Sequence, residues 1–105
     1  MTTPRAVVWI VRLQVRCEAL ESFHTFERHA ARVMKRHGGA IDRTVVLASE
    51  PPSELHEEVH LVRFPSVEAF EAYRADPELA GVRHLRDESV VATDMLVGED
   101  GPDYG

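Results

Sequence analysis

A single cysteine, Cys17, is the only thiol among 105 residues. It cannot close an intramolecular disulfide, so a stapled secreted scaffold is excluded and a reducing compartment, the cytoplasm, is expected. Long apolar runs are also missing. Val7 to Val11 is cut by Arg12, falls far short of the roughly 20 residues of a membrane helix, and is followed by no small-residue cleavage site. Neither a membrane span nor export is therefore expected. Positive charge is scarce as well: 18 acidic against 12 basic residues leave a formal charge of −6, and the arginines are scattered among acids. That balance opposes nucleic acid and an anionic lipid surface as partners. There is no glycine-rich phosphate loop, dinucleotide fingerprint, nucleophile elbow or paired-cysteine metal site, which argues against flavin, nicotinamide and ATP enzymes. Neither a cofactor nor a metal is assigned.

What is present fits one domain, with residues 1–97 as its body and the acidic, glycine-rich segment 98–105 (GEDGPDYG) as a flexible tail. Ala6 to Val15 is rich in β-branched and aromatic types and reads as a strand. From Ala19 to His37, Leu20, Phe23, Phe26, Ala30, Val33, Met34 and His37 recur at spacings of three and four, which predicts an amphipathic helix. Basic residues crowd its last turn and Gly38-Gly39 supplies a left-handed stop. Ile41 to Ala48 is the second strand, Ser49 to Leu55 a proline-bearing loop, and Glu57 to Phe64 the third strand. Ser66 is the expected N-cap of a helix from Val67 to about Arg74. Asp76-Pro77 breaks that helix, a second piece covers Glu78 to Asp87, and Ser89 to Val97 is the last strand.

The order strand, helix, strand, strand, helix, strand implies an α+β, ferredoxin-like βαββαβ sandwich, with an antiparallel four-stranded sheet and its helices on one face. Yet Val7 to Val11 and Val45 to Leu47 are apolar whichever way they point. The second sheet face thus needs a cover, and a twofold partner joined sheet to sheet is the simplest one; shielding by the tail or the proline loop is the alternative.

The stretch FPSVEAFEAYRADPEL within His60 to Thr93, followed by Leu85-Arg86 and Ser89-Val90-Val91, resembles an uncharacterised bacterial domain-of-unknown-function family of the dimeric α+β-barrel superfamily. Gly38-Gly39 after the first helix fits the same pattern, and the resemblance covers most of Val7 to Val97. It implies a homodimer related to antibiotic-biosynthesis monooxygenase-like and polyketide-cyclase-like proteins. Members of that superfamily include cofactor-free monooxygenases, cyclases, isomerases, haem-binding proteins and regulatory modules, so the resemblance bears on fold more than on function. A small apolar or aromatic metabolite is the ligand it implies, handled by a cofactor-independent cyclase, isomerase or monooxygenase. A non-catalytic ligand-binding or structural dimer is the alternative.

His56-Glu57-Glu58-Val59-His60 matches the H-E-x-x-H pattern of zinc proteases, which works only on a helix. Here the segment ends in the β-favouring LVRF run, and on a strand two residues four apart stand about 13 Å from one another. Six histidines invite acid-base chemistry. His60, inside the third strand, and His24, beside the Phe23 stripe, are the catalytic candidates, with a satisfied, partly buried histidine as the alternative for each. Tyr73 joins them because superfamily relatives often carry a His or Tyr near this point of the second helix. Trp9, Phe23, Phe64 and Phe70 are expected to line an apolar pocket, with Leu85 completing its wall, unless they are plain core. Arg63 and Arg86 are candidates for binding substrate, with ion pairing to nearby acids as the alternative.

Overall fold

The computed structural model describes residues 5–48 and 54–105, so most of the expected proline loop lies outside the described residues. The β-branched opening run forms β1, Val7–Arg16. After a short 3-10 turn, Cys17–Ala19, comes α1, Leu20–Arg36, which buries Phe23, Phe26, Ala30, Val33 and Met34 as its spacing predicts. Gly38 adopts a positive φ of 76°. Its amide donates to the Lys35 carbonyl at 3.1 Å and that of Gly39 donates to Met34 at 2.9 Å, the left-handed cap that satisfies two carbonyls of the last turn. At Gly39 the constraint is one of space: a Cβ there would sit 2.3 Å from Cε1 of Phe64.

β2 follows at Ala40–Val46 and β3 at Leu55–Phe64. α2, Val67–Arg74, is capped by Ser66, whose Oγ accepts from the Ala69 amide at 3.0 Å. The expected second piece is two short helices, α3 at Pro77–Ala80 and α4 at Arg83–Ser89. Gly81 and the β-branched Val82, both poor helix formers, separate them. The Gly81 amide closes α3 on Pro77 and the Leu85 amide opens α4 on Val82. β4 spans Val90–Glu99, two residues into the segment expected to be tail, because Val8 pairs with Gly98 and Val7 with Glu99. β3 likewise begins two residues early, since Arg16 and Val15 of β1 pair with Leu55 and His56.

The strands lie in the order β2-β3-β1-β4 with every neighbouring pair antiparallel, the ferredoxin-like arrangement. Strand alternation divides the sheet. Trp9, Leu13 and Val15 of β1 and Glu58, His60, Val62 and Phe64 of β3 turn to the buried, helix-covered face. There Trp9 stacks on Phe70 with ring centroids 4.1 Å apart, and Phe64 meets Trp9, Phe70 and Tyr73 within 6 Å. On the other face, Ile10 pairs with Leu61 and Leu96, and Val45 with Val59. Ile10 is 42% exposed and Leu96 69%. This apolar strip is edged by charge, with Arg12 on Glu57 at 2.9 Å and Arg63 on Asp42 and Asp100 at 2.6 and 2.7 Å. No helix among the described residues is long and apolar enough to cross a membrane.

Candidate active site

Between the helices and the buried sheet face lies a cavity of about 450 Å³, bounded by residues of α1, α2, α3, α4, β1, β3 and β4. Its wall is apolar where Phe26, Met34, Val62, Phe70 and Leu79 contribute, and its polar groups are His60, Glu27, Tyr73, Thr93, Arg74, Arg83, Arg86 and Asp87. An apolar wall faced by this many polar groups, in a hollow of this size, suits a small organic molecule that carries polar substituents.

His60 is only 4% exposed, so its ring nitrogens must be satisfied inside the protein. Nε2 lies 2.8 Å from Oε1 of Glu58, whose other oxygen stands 2.6 Å from Nε2 of His56. The β3 alternation makes this bracket possible, because residues 56, 58 and 60 share one face. Burial pushes the Glu58 carboxyl up, but the hydrogen bonds from His60 and His56 outweigh it and hold the group below the usual glutamate range. An ionised Glu58 can only accept, so Nε2 of His60 carries the proton. That leaves Nδ1 as the basic nitrogen, and it faces Oε2 of Glu27 at 3.7 Å.

Glu27 responds in the opposite sense. Burial raises its pKa, His60 and Arg86 partly oppose the rise, and the charge of Glu58 adds to it. One histidine thus stands between a carboxylate that is firmly ionised and a carboxyl that holds its proton to higher pH. Tyr73 is buried as well, and desolvation with the nearby Glu27 charge pushes its phenol above its ordinary value. It remains a neutral O–H donor under physiological conditions.

His60, Tyr73, Phe70 and Arg86 therefore line one cavity. His24 does not. It projects to the exposed side of α1 and borders a smaller cleft of about 190 Å³, which it shares with Phe23, Glu27, Glu58 and His60. Glu27 and His60 border both hollows. Trp9 and Phe64 do not border the larger cavity either, because they are core side chains packed against Phe70. Phe23 belongs to a second core group with Leu13 and Val15, and Leu85 packs against the core without bordering the cavity. Arg63 lies on the opposite face of the sheet, because its position on β3 alternates away from Val62 and Phe64, and it is ion-paired there.

Glu27, Glu58 and Arg83 were not foreseen as site residues. Glu58 had a signal in the sequence, since H-x-E-x-H on a strand puts three polar groups on the face that also carries Val62 and Phe64. Glu27 had a fainter one, an acid at helical spacing between Phe23 and Ala30 in the buried stripe.

Solved structures with the same fold share little sequence. A protein of unknown function from Rhodopseudomonas palustris superposes with a TM-score of 0.79 at 17% identity, over 95% of this chain and 85% of that one. SnoaB, a cofactor-independent oxygenase from Streptomyces nogalater, gives 0.66 at 14% identity, over 95% of this chain and 97% of that one. A candidate antibiotic biosynthesis monooxygenase from Nitrosomonas europaea gives 0.69 at 15%, over 95% and 94%. At such identities the likeness concerns the fold. No curated protein matches the chain. A family model does match, over residues 6–99, nearly the whole βαββαβ unit, and the chain thereby belongs to the family described as Domain of unknown function (DUF1330).

Proposed function

We propose that this protein binds a small, largely apolar metabolite in the cavity between helices and sheet, and that His60 removes a proton from it without a cofactor. The observation that carries the reading is the setting of His60, with Nε2 held by Glu58 and Nδ1 directed toward Glu27 in the cavity that Tyr73 also lines. An acidic C–H next to a carbonyl would give its proton to Nδ1, and the electron pair would move onto the carbonyl oxygen as an enolate. The Tyr73 hydroxyl would donate to that oxygen. The imidazolium so formed would lie beside the Glu58 carboxylate, which lowers its energy. Reprotonation at another carbon makes such a site an isomerase, attack on a second carbonyl of the same molecule a cyclase, and reaction with dioxygen a monooxygenase. SnoaB, of similar fold, is a cofactor-independent oxygenase, which is compatible with the last route.

The protein works in the cytoplasm as a homodimer in this reading, joined through the strip around Ile10, Leu61, Val45 and Leu96, whose exposed apolar area is what a twofold partner would cover. Hydrogen exchange into 2-tetralone in heavy water, followed by proton NMR, tests the chemistry. Wild-type protein is expected to accelerate exchange at the acidic carbon, and His60→Gln to lose about a hundredfold to ten-thousandfold of that rate. Tyr73→Phe should lose about a hundredfold or more while keeping its melting temperature. Exchange no faster than with His60→Gln would remove His60 as a base. A non-catalytic ligand-binding dimer is the second reading. It is favoured by the double hydrogen bonding of Glu58, which satisfies a buried carboxylate whether or not His60 takes up a proton.

A further inference from the structure

Three arginines, Arg74 of α2 and Arg83 and Arg86 of α4, border the same cavity although the chain as a whole is acidic. Among the described residues none of the three is ion-paired with a carboxylate. Arg86 donates to Thr93 Oγ1 at 2.6 Å, a neutral partner that occupies one of its five N–H donors. Arg74 rests over the Phe70 ring with Cζ 5.7 Å from the centroid. Arg83 is exposed. Against the three stand Asp87 on the same rim and Glu27 deeper in. The rim is thus positive, while the interior wall near Phe26 and Phe70 is apolar.

From this arrangement we infer that the ligand is an amphipathic monocarboxylate, with its apolar body against Phe26 and Phe70 and its carboxylate held at the mouth by Arg83 and Arg86. A guanidinium presents paired N–H donors that match the two oxygens of a carboxylate. A single negative charge fits better than a dianion, because Asp87 shares the rim. Such a molecule would enter acid end outward and present its far end toward His60. The inference deepens the function proposed above and rests on it for the choice of cavity, but not on any proton transfer.

Binding can be read without turnover. Trp9 is the only tryptophan and stacks on Phe70, a wall residue, so its fluorescence reports on the cavity. Biphenyl-4-carboxylate and its neutral analogue biphenyl-4-carboxamide are titrated against wild type, Arg83→Gln, Arg83→Gln/Arg86→Gln and His60→Gln. The carboxylate should bind wild type roughly tenfold or more tightly than the amide, the scale of one charge-assisted interaction. That preference should shrink in Arg83→Gln, disappear in the double variant, and persist in His60→Gln. Arg83 has no described partner to lose, so its single variant keeps the test open if the double variant fails to fold. Equal binding of the two probes, no saturable binding of the carboxylate up to about 1 mM, or a preference that survives both arginine changes would overturn the inference. Loss of exchange activity in His60→Gln with the carboxylate preference intact separates this inference from the proposed chemistry.

Discussion

Replacing Glu58 perturbs the centre of the polar network and the contribution of each bond can be reasoned from its burial. Glu58→Ala removes the acceptor of two hydrogen bonds, at 2.8 Å from His60 and 2.6 Å from His56. Bonds to a charged group contribute about 1.5–3 kcal/mol each. His60 is almost fully enclosed and its N–H would be left without an acceptor, so that bond counts nearly in full, whereas the partly buried His56 keeps some access to water. A loss of about 2–4 kcal/mol follows, which for a domain of this size lowers the melting temperature by roughly 10–20 °C. Glu58→Gln keeps one acceptor oxygen and should lose about half as much. The pH dependence gives a sharper test. Because the folded-state pKa of Glu58 is lowered from its ordinary 4.5, its stabilisation is fully present above that value and disappears as pH falls through the folded pKa. The difference in melting temperature between wild type and Glu58→Gln should therefore hold from pH 6 to about pH 4.5 and narrow below it as calorimetric scans are taken down to pH 3. A constant difference across that range, or a Glu58→Ala melt within about 3 °C of wild type, would refute the reasoning.

Glu27 should respond with the opposite sign: its folded pKa is raised from 4.5, so its contribution is present at lower pH and is lost as pH rises through the folded value, and Glu27→Gln should melt higher than wild type at neutral pH by scanning calorimetry. Gly39→Ala places a methyl group against Phe64, a side chain with no exposed surface, and should cost about 1–3 kcal/mol in urea denaturation, the usual range for overpacking. Asp76→Ala removes both the cap on the Glu78 amide and the partner of His37, each at 2.9 Å, and should lower the melting temperature at neutral pH in scanning calorimetry. The carboxyl of Asp76 is held below its ordinary 3.8 by the His37 hydrogen bond first, so the penalty should fade as pH drops through that lowered value. For the sheet face, light scattering at micromolar concentration should give twice the chain mass for wild type and the chain mass for Leu61→Glu, which puts a charge among Ile10, Leu96 and Val45; a wild-type monomer would refute the sheet-to-sheet dimer.

The element order and the helix-covered face of the sheet were legible in the sequence because both follow from local, periodic physics. β-branched runs favour a pleated strand, α1 repeats its apolar residues at three and four, Gly38 can take a positive φ at no steric cost, and Ser66 caps without help from elsewhere. Those features pointed to four strands and their helices before any contact was known. The break at Gly81-Val82 was readable in principle from weak helix formers, but the apolar residues on either side masked it. Which side chains meet was decided by the tertiary structure alone. His60 and Glu58 are two apart in one strand, while Glu27 comes from α1, Tyr73 from α2 and Arg86 from α4. No spacing rule connects positions so distant in the chain. The turn of each helix over the sheet decided that Tyr73 and not His24 would share the larger cavity with His60, and that Trp9 and Phe64 would be core and not wall. Arg63 shows the same division: its strand position was readable, but its pairing with Asp42 and Asp100 across the open face required three segments to be brought together by the fold.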